Sequence, residues 1–209
     1  MKNFCYCILL ILNCVVLPAS ASTTCQQDSI GMLCTSQVNF VNFAQQAYQT
    51  QYQNEWCWAA SISMIFNFYG HPVSQPRIVA SAYGSPVNVP APGIVMAQQL
   101  NKNWTDDNGV NFYSQLSGVF DPIAGVSTLN NNQLITELDQ GHPIVIGTNG
   151  HAVVITQIQY YQTNYGPNVI VVGVFDPWPG IGARYLSATE FTPKNLGGAL
   201  TFVATAHVN

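Results

Sequence analysis

The hydrophobic texture of this chain changes once, near Asn108, and that change limits the folds open to it. Upstream, apolar residues recur at helical spacing. In the run WCWAASISMIFNFY at 56–69, Trp58, Ile62, Ile65, Phe66 and Tyr69 share one face, and Gly70 followed by Pro72 supplies a stop. Further helices are expected just after Ser74 and over 93–101. Downstream, β-branched residues and period-two alternation predict strands over 110–116, 143–147, 152–161, 169–175 and 199–207. One helix interrupts them at 132–140, opened by the Asn130, Asn131, Asn132 triplet and closed by Gly141. Helices first and strands afterwards predict an α+β fold, a helical half packed on a C-terminal antiparallel sheet, and not alternating α/β. The 209 residues suit one such domain.

The N-terminus follows another logic. Lys2 precedes an apolar stretch over 4–17, Pro18 breaks it, and Ala19, Ser20, Ala21 form a small-residue cleavage site. The stretch contains Asn13 and falls short of the ~20 residues a membrane span needs. A lipoprotein site at Cys14 fits poorly with Asn13 directly before it. We expect a signal peptide over 1–21, a polar arm over 22–50 and the main folded domain over 51–209, with the mature chain secreted or periplasmic and no further span. Cysteine counting then becomes informative. Cys5, Cys7 and Cys14 leave with the signal, and Cys25, Cys34 and Cys57 remain. In an oxidising compartment an odd count leaves one free thiol. Cys25 and Cys34, nine positions apart in a polar stretch, can close a small surface loop, so Cys57 is the expected free thiol.

Charge removes other classes of function. The net charge is −4, with only five Lys and Arg residues and no basic run. Nucleic acid, which needs a basic stripe against its phosphates, is excluded as a partner. No glycine-rich phosphate loop follows a strand, and no ligand pair has the spacing of a zinc motif, so neither cofactor nor metal is expected. Asn103, Trp104 and Thr105 fit a glycosylation acceptor by pattern alone.

The chemistry gathers around Cys57. At the start of the strongest helix, its sulfur meets unsatisfied amides and the positive end of the helix dipole, which favour thiolate. The upstream segment Gln51, Tyr52, Gln53, Asn54, Glu55, Trp56 carries side-chain amides. Such an amide and the backbone N–H of the nucleophile can together hold a tetrahedral oxyanion. A base is also required. His71 and His142 sit in turns before prolines and are expected to be solvated, and His207 lies two residues from the end. His151 instead opens the apolar strand AVVIT after the turn Thr148, Asn149, Gly150. A third element, Asp176 in Asp176-Pro177-Trp178, ends a neighbouring strand, where a carboxylate can accept the imidazole N–H and fix its tautomer. Trp178 is placed to keep water from that bond.

Gln51, five intervening residues, Cys57 in WCWAA, and then GHAVVI and DPW resemble the papain-like cysteine peptidases. The likeness is nearest the bacterial branch of double-glycine peptidases and secreted plant-pathogen cysteine proteases, and covers about 51–83 and 141–180. It implies a papain-like fold, Cys57 as nucleophile, His151 as base, Asp176 as orienting residue and Gln51 in the oxyanion hole. Gln53 remains an alternative register for that last role. Asp176, where many papain relatives carry Asn, points to the double-glycine-like branch. The implied function is an exported, monomeric thiol protease that cleaves a polypeptide substrate through a thioester, without cofactor. Two alternatives share these residues: an amidase or acyltransferase on a cell-wall or other non-protein amide, and a catalytically silent binding module. Pocket walls are expected from 84–93 and 104–122. The absence of a transporter domain argues against an export-coupled role.

Overall fold

The computed structural model describes residues 22–209; the expected signal segment, with Cys5, Cys7 and Cys14, lies outside the described residues. The fold is α+β. In chain order its elements are β1 (Ser22–Gln27), β2 (Met32–Gln37), α1 (Phe40–Asn42, continued by a π-helical turn Phe43–Ala47), α2 (Cys57–Phe68), α3 (Gln75–Tyr83), α4 (Gly93–Gln99), β3 (Lys102–Thr105), β4 (Asn111–Asp121), β5 (Val126–Ser127), α5 (Asn131–Asp139), β6 (Ile144–Thr148), β7 (His151–Thr163), β8 (Gly166–Asp176), β9 (Gly182–Tyr185), α6 (Ala188–Phe191) and β10 (Leu200–Val208). The strands form one antiparallel sheet ordered β1-β2-β7-β6-β10-β4-β3, with β5 on β4, β8 on β7, and β9 on β8.

The long strand β7 organises this sheet. Its first half, His151 to Ile155, pairs with β6, its second half pairs with β2, and β8 runs along its other edge. Helix α2 packs against β7 and β6. Every α2 residue from Cys57 through Phe66 is buried, so this helix is a core element and not a surface one. Its end is chemically specified. Gly70 takes φ 83°, the Gly70 N–H donates to Asn67 O (2.9 Å), and the His71 N–H donates to Phe66 O (2.9 Å). This paired arrangement satisfies the last helix carbonyls around a glycine, and Pro72 prevents continuation. Helix α5 starts as its asparagines predict: Asn130 accepts from the Gln133 N–H, and the Gln133 side chain accepts from the Asn130 N–H.

The segment expected to be a polar arm is instead the edge hairpin β1–β2, and β2 pairs with β7 over six residues. Polar strands lack the alternation that marks a half-buried sheet, which is why the segment reads as an arm. The turn is held by Asp28, whose Oδ1 accepts from the Ile30 and Gly31 N–H groups while Oδ2 accepts from Tyr161 on β7. Cys25 and Cys34 face one another across this hairpin and form the expected disulfide, as a cross-strand bridge.

Candidate active site

Cys57 is the first residue of α2 and, among the described residues, the free cysteine. No side chain caps this helix start. The first N–H groups of any helix have no intrahelical acceptor, so the Cys57 amide stays open to an external oxygen. The two flanking tryptophans act outward. Trp56 Nε1 donates to Val87 O (2.9 Å), Trp58 Nε1 donates to Val89 O (3.1 Å), and the Glu55 N–H donates to Asn88 Oδ1 (3.0 Å). These bonds clamp the 84–93 loop against the segment that carries Cys57.

His151 owes its position to a two-residue hairpin. Asn149 (φ 52°) and Gly150 (φ 74°) both adopt positive φ between the paired residues Thr148 and His151. This is the type I′ connection that Asn-Gly favours, and it sets His151 at the mouth of β7 with fixed register. His151 Nε2 lies 2.6 Å from Asp176 Oδ1, which leaves Nδ1 for the thiol. The Cys57 sulfur is within hydrogen-bonding reach of the imidazole. Burial opposes the charge on His151, but bonds to Asp176 and Cys57 and the negative charge of both outweigh it, pushing the pKa up to about 9.

Asp176 is nearly buried and accepts from three directions. Besides His151, the Trp178 N–H donates to Oδ1 (2.9 Å) and Arg184 Nε donates to Oδ2 (2.8 Å). Burial raises the cost of its charge; the bonds from His151, Trp178 and Arg184 outweigh that and hold the carboxyl below its ordinary range. Arg184 continues to Glu190 (Nη2 to Oε1, 2.8 Å), whose Oε2 accepts from Ser187 N–H and Oγ. Sequence reasoning missed Arg184 and Glu190. The only available signal was an arginine on the short strand β9, in a chain with five basic residues. Trp178 meets His151 edge-on, with ring centroids 6.2 Å apart at 76°, and stays 46% exposed. It borders the imidazole; its backbone, more than its ring, supports Asp176.

Gln51, upstream of Cys57 in the loop that leads into α2, is buried but has a different hydrogen-bonding pattern from the one expected. Its Nε2 donates to both Gln53 O and Asn54 O (2.9 Å each), and its backbone N–H donates to Pro177 O (2.8 Å). Turning the amide over would set Oε1 against two carbonyls, so electrostatics fix this orientation. Both amide hydrogens are therefore engaged, and Oε1 is buried without a partner. As placed, Gln51 folds the loop leading into Cys57 and ties it to the Asp176 loop. Gln53 is exposed and contributes its carbonyl.

Cys57 and His151 open into a cleft of about 470 Å³, walled by Trp58, Pro90, Pro92, Met96, Asp121 and Phe202 among others. The 84–93 loop contributes as expected. Of 104–122 only Asp121 reaches the cleft. Gly93 makes room there, since a Cβ would sit 2.4 Å from the buried Phe202 ring. Two histidines depart from expectation. His71, expected to be exposed, is half-buried, stacks on Phe112 (4.5 Å, 16°) and meets Asp106 (3.2 Å). His142, expected to be solvated, is half-buried and bonded to Glu137 (2.8 Å).

Residues 40–193 match the model of the Peptidase_C39 like family, a span that holds Cys57, His151, Asp176 and Arg184. A search of curated proteins finds no match.

Proposed function

The chain belongs to the Peptidase_C39 like family, among the papain-like cysteine peptidases, and from that premise we propose that it is an exported protease using Cys57, His151 and Asp176. The observation that carries the reading is one imidazole shared between a buried carboxylate, at 2.6 Å, and the thiol at an uncapped helix start, within one cleft. In this mechanism Cys57 reacts as the thiolate beside the His151 imidazolium. The thiolate attacks the scissile carbonyl carbon, and the oxyanion forms against the Cys57 N–H. His151 Nδ1–H then protonates the leaving amine as the C–N bond breaks, leaving a thioester on Cys57. The imidazole next takes a proton from water, hydroxide attacks the thioester, and the thiolate departs as the acid product leaves. Asp176 holds the tautomer throughout.

Gln51 is proposed as second oxyanion donor. This requires one of its bonds to Gln53 O or Asn54 O to be exchanged for the oxyanion as charge develops. Export is supported by the Cys25–Cys34 disulfide, which persists in oxidising compartments. No helix of the described residues is long and apolar enough to cross a membrane.

The test is labelling with a thiol-directed epoxide and mass mapping of the adduct, beside Cys57→Ala. The adduct is expected on Cys57 alone, and Cys57→Ala, which a helix tolerates well, should keep the fold and lose all peptide hydrolysis. Full hydrolytic activity in Cys57→Ala overturns the assignment.

A further inference from the structure

A second group of reactive side chains converges away from the cleft. Glu137 lies on α5, His142 in the turn before β6, and His207 near the end of β10; none of them lines the cavity holding Cys57. His142 Nδ1 lies 2.8 Å and His207 Nε2 3.0 Å from the same oxygen, Glu137 Oε2. The two imidazole rings are 4.3 Å apart. We propose that Glu137, His142 and His207 bind one divalent transition-metal ion of the zinc class, outside the catalytic reaction.

The three candidate ligand atoms all lie within 4.8 Å of one another. In a tetrahedral zinc site with bonds of about 2.0–2.2 Å, ligand atoms stand roughly 3.3–3.5 Å apart, so small side-chain shifts suffice. Glu137 supplies a carboxylate, and both imidazoles already converge on one of its oxygens. Each imidazole that now meets Oε2 carries a nitrogen able to offer a lone pair to an ion at that point. The ion would thus replace the two hydrogen bonds that share Glu137 Oε2. Two nitrogens and one oxygen suit zinc, cobalt, nickel or copper, whereas magnesium and calcium want oxygen alone.

An independent observation points to the same place. The Tyr69 hydroxyl is buried without a partner, its ring lies 6.2 Å from that of His142, and it is close enough to feel the Glu137 charge. A buried hydroxyl without a partner is costly, and a water in the open fourth position of a bound ion would satisfy it. Ser117 Oγ, 3.3 Å from Glu137 Oε1, supports the carboxylate from behind. The cluster is reachable, since the His207 side chain is 39% exposed. A bound ion would link the end of β10 to α5 and β6.

Calorimetric titration with zinc chloride tests this, using the chain carrying Cys57→Ala so that no free thiol competes. We expect one equivalent bound at micromolar affinity or tighter, and a rise in Tm that magnesium chloride does not reproduce. His207→Asn, which can still hydrogen-bond Glu137 but ligates metal poorly, should weaken zinc binding about 100-fold. His207→Ala should do the same, and its half-exposed side chain can be removed without opening the core. Absence of both heat and Tm shift at millimolar zinc overturns the proposal, as does unchanged affinity in both His207 variants. Cobalt(II) absorption in the visible, lost in the same variants, reports the site without reference to stability.

Discussion

Asp176→Asn tests whether the carboxylate acts by charge or merely by orientation. Three N–H donors converge on Asp176: His151 and Trp178 on Oδ1, Arg184 on Oδ2. Asparagine offers one acceptor oxygen. If that oxygen serves His151, the new NH2 faces the Arg184 N–H; if it serves Arg184, the NH2 faces His151. In either pose donors oppose each other, and Arg184 loses one of its two carboxylate partners, keeping only Glu190. The rise of His151 from its ordinary 6.5 to about 9 corresponds to about 3–4 kcal/mol in favour of imidazolium, at about 1.4 kcal/mol per pH unit. Asp176 is the leading source of that gain, with Cys57 second. Removing its charge should return the His151 midpoint to about 7 or below. The assay is an NMR titration of the His151 ring, beside the pH dependence of epoxide inactivation; both report the coupled Cys57–His151 pair. The alkaline limb should retreat from about 9 by about two pH units, leaving considerable activity near pH 6. Asp176→Ala, which holds no tautomer, should lose much more. Adding Arg184→Met to Asp176→Asn should restore part of the loss by removing the opposed donor and cation. A midpoint that stays near 9 in Asp176→Asn, or an Arg184→Met change that deepens the defect, refutes the reasoning. Stability carries the same signature. His151 has a folded pKa above its unfolded value, so its contribution is complete below about pH 6.5 and is lost as pH rises through about 9. Unfolding free energy should decline across that window in the wild type and much less in Asp176→Asn.

Gln51→Ala should lower kcat about 10²–10³-fold with little change in KM, the scale for one lost oxyanion donor. Because Gln51 also bonds Gln53 O and Asn54 O, denaturant unfolding should show a loss of about 1–3 kcal/mol. Gln53→Ala should be mild on both measures, since only its carbonyl is used; a crippling Gln53→Ala with a silent Gln51→Ala reverses the assignment. Replacing Cys25 and Cys34 together by serine should destabilise the chain by about 2–3 kcal/mol for so short a closed loop. The bridge sits on the edge hairpin, so kcat should be unchanged; a large fall in kcat would mean the hairpin shapes the cleft.

The residues of the candidate site could be singled out because each stands at a local structural boundary that sequence encodes. Cys57 marks the start of the one strongly periodic helix. His151 follows an Asn-Gly pair whose positive φ values dictate a tight hairpin. Asp176 ends a β-branched run just before proline. These are short-range rules, and the helix over Cys57–Phe68 and strands β6, β7, β8 and β10 follow from them. Strands β1, β2 and β9 were not legible, because their polar or mixed residues carry no alternation; β1 is held by pairing with β2, β2 by β7, and β9 by β8.

What only the tertiary structure decided is which polar groups meet. The order of glutamine, cysteine, histidine and aspartate along the chain implied a mechanism; it did not tell that the Gln51 amide is engaged by its own loop. Nor did it place Arg184 on the far oxygen of Asp176, or His207 beside Glu137 seventy positions away. Local conformation depends on neighbours within a few residues, and so a single sequence carries it. Partner choice among side chains depends on the register of a sheet closed over long separations, where a one-residue slip sends every side chain to the opposite face.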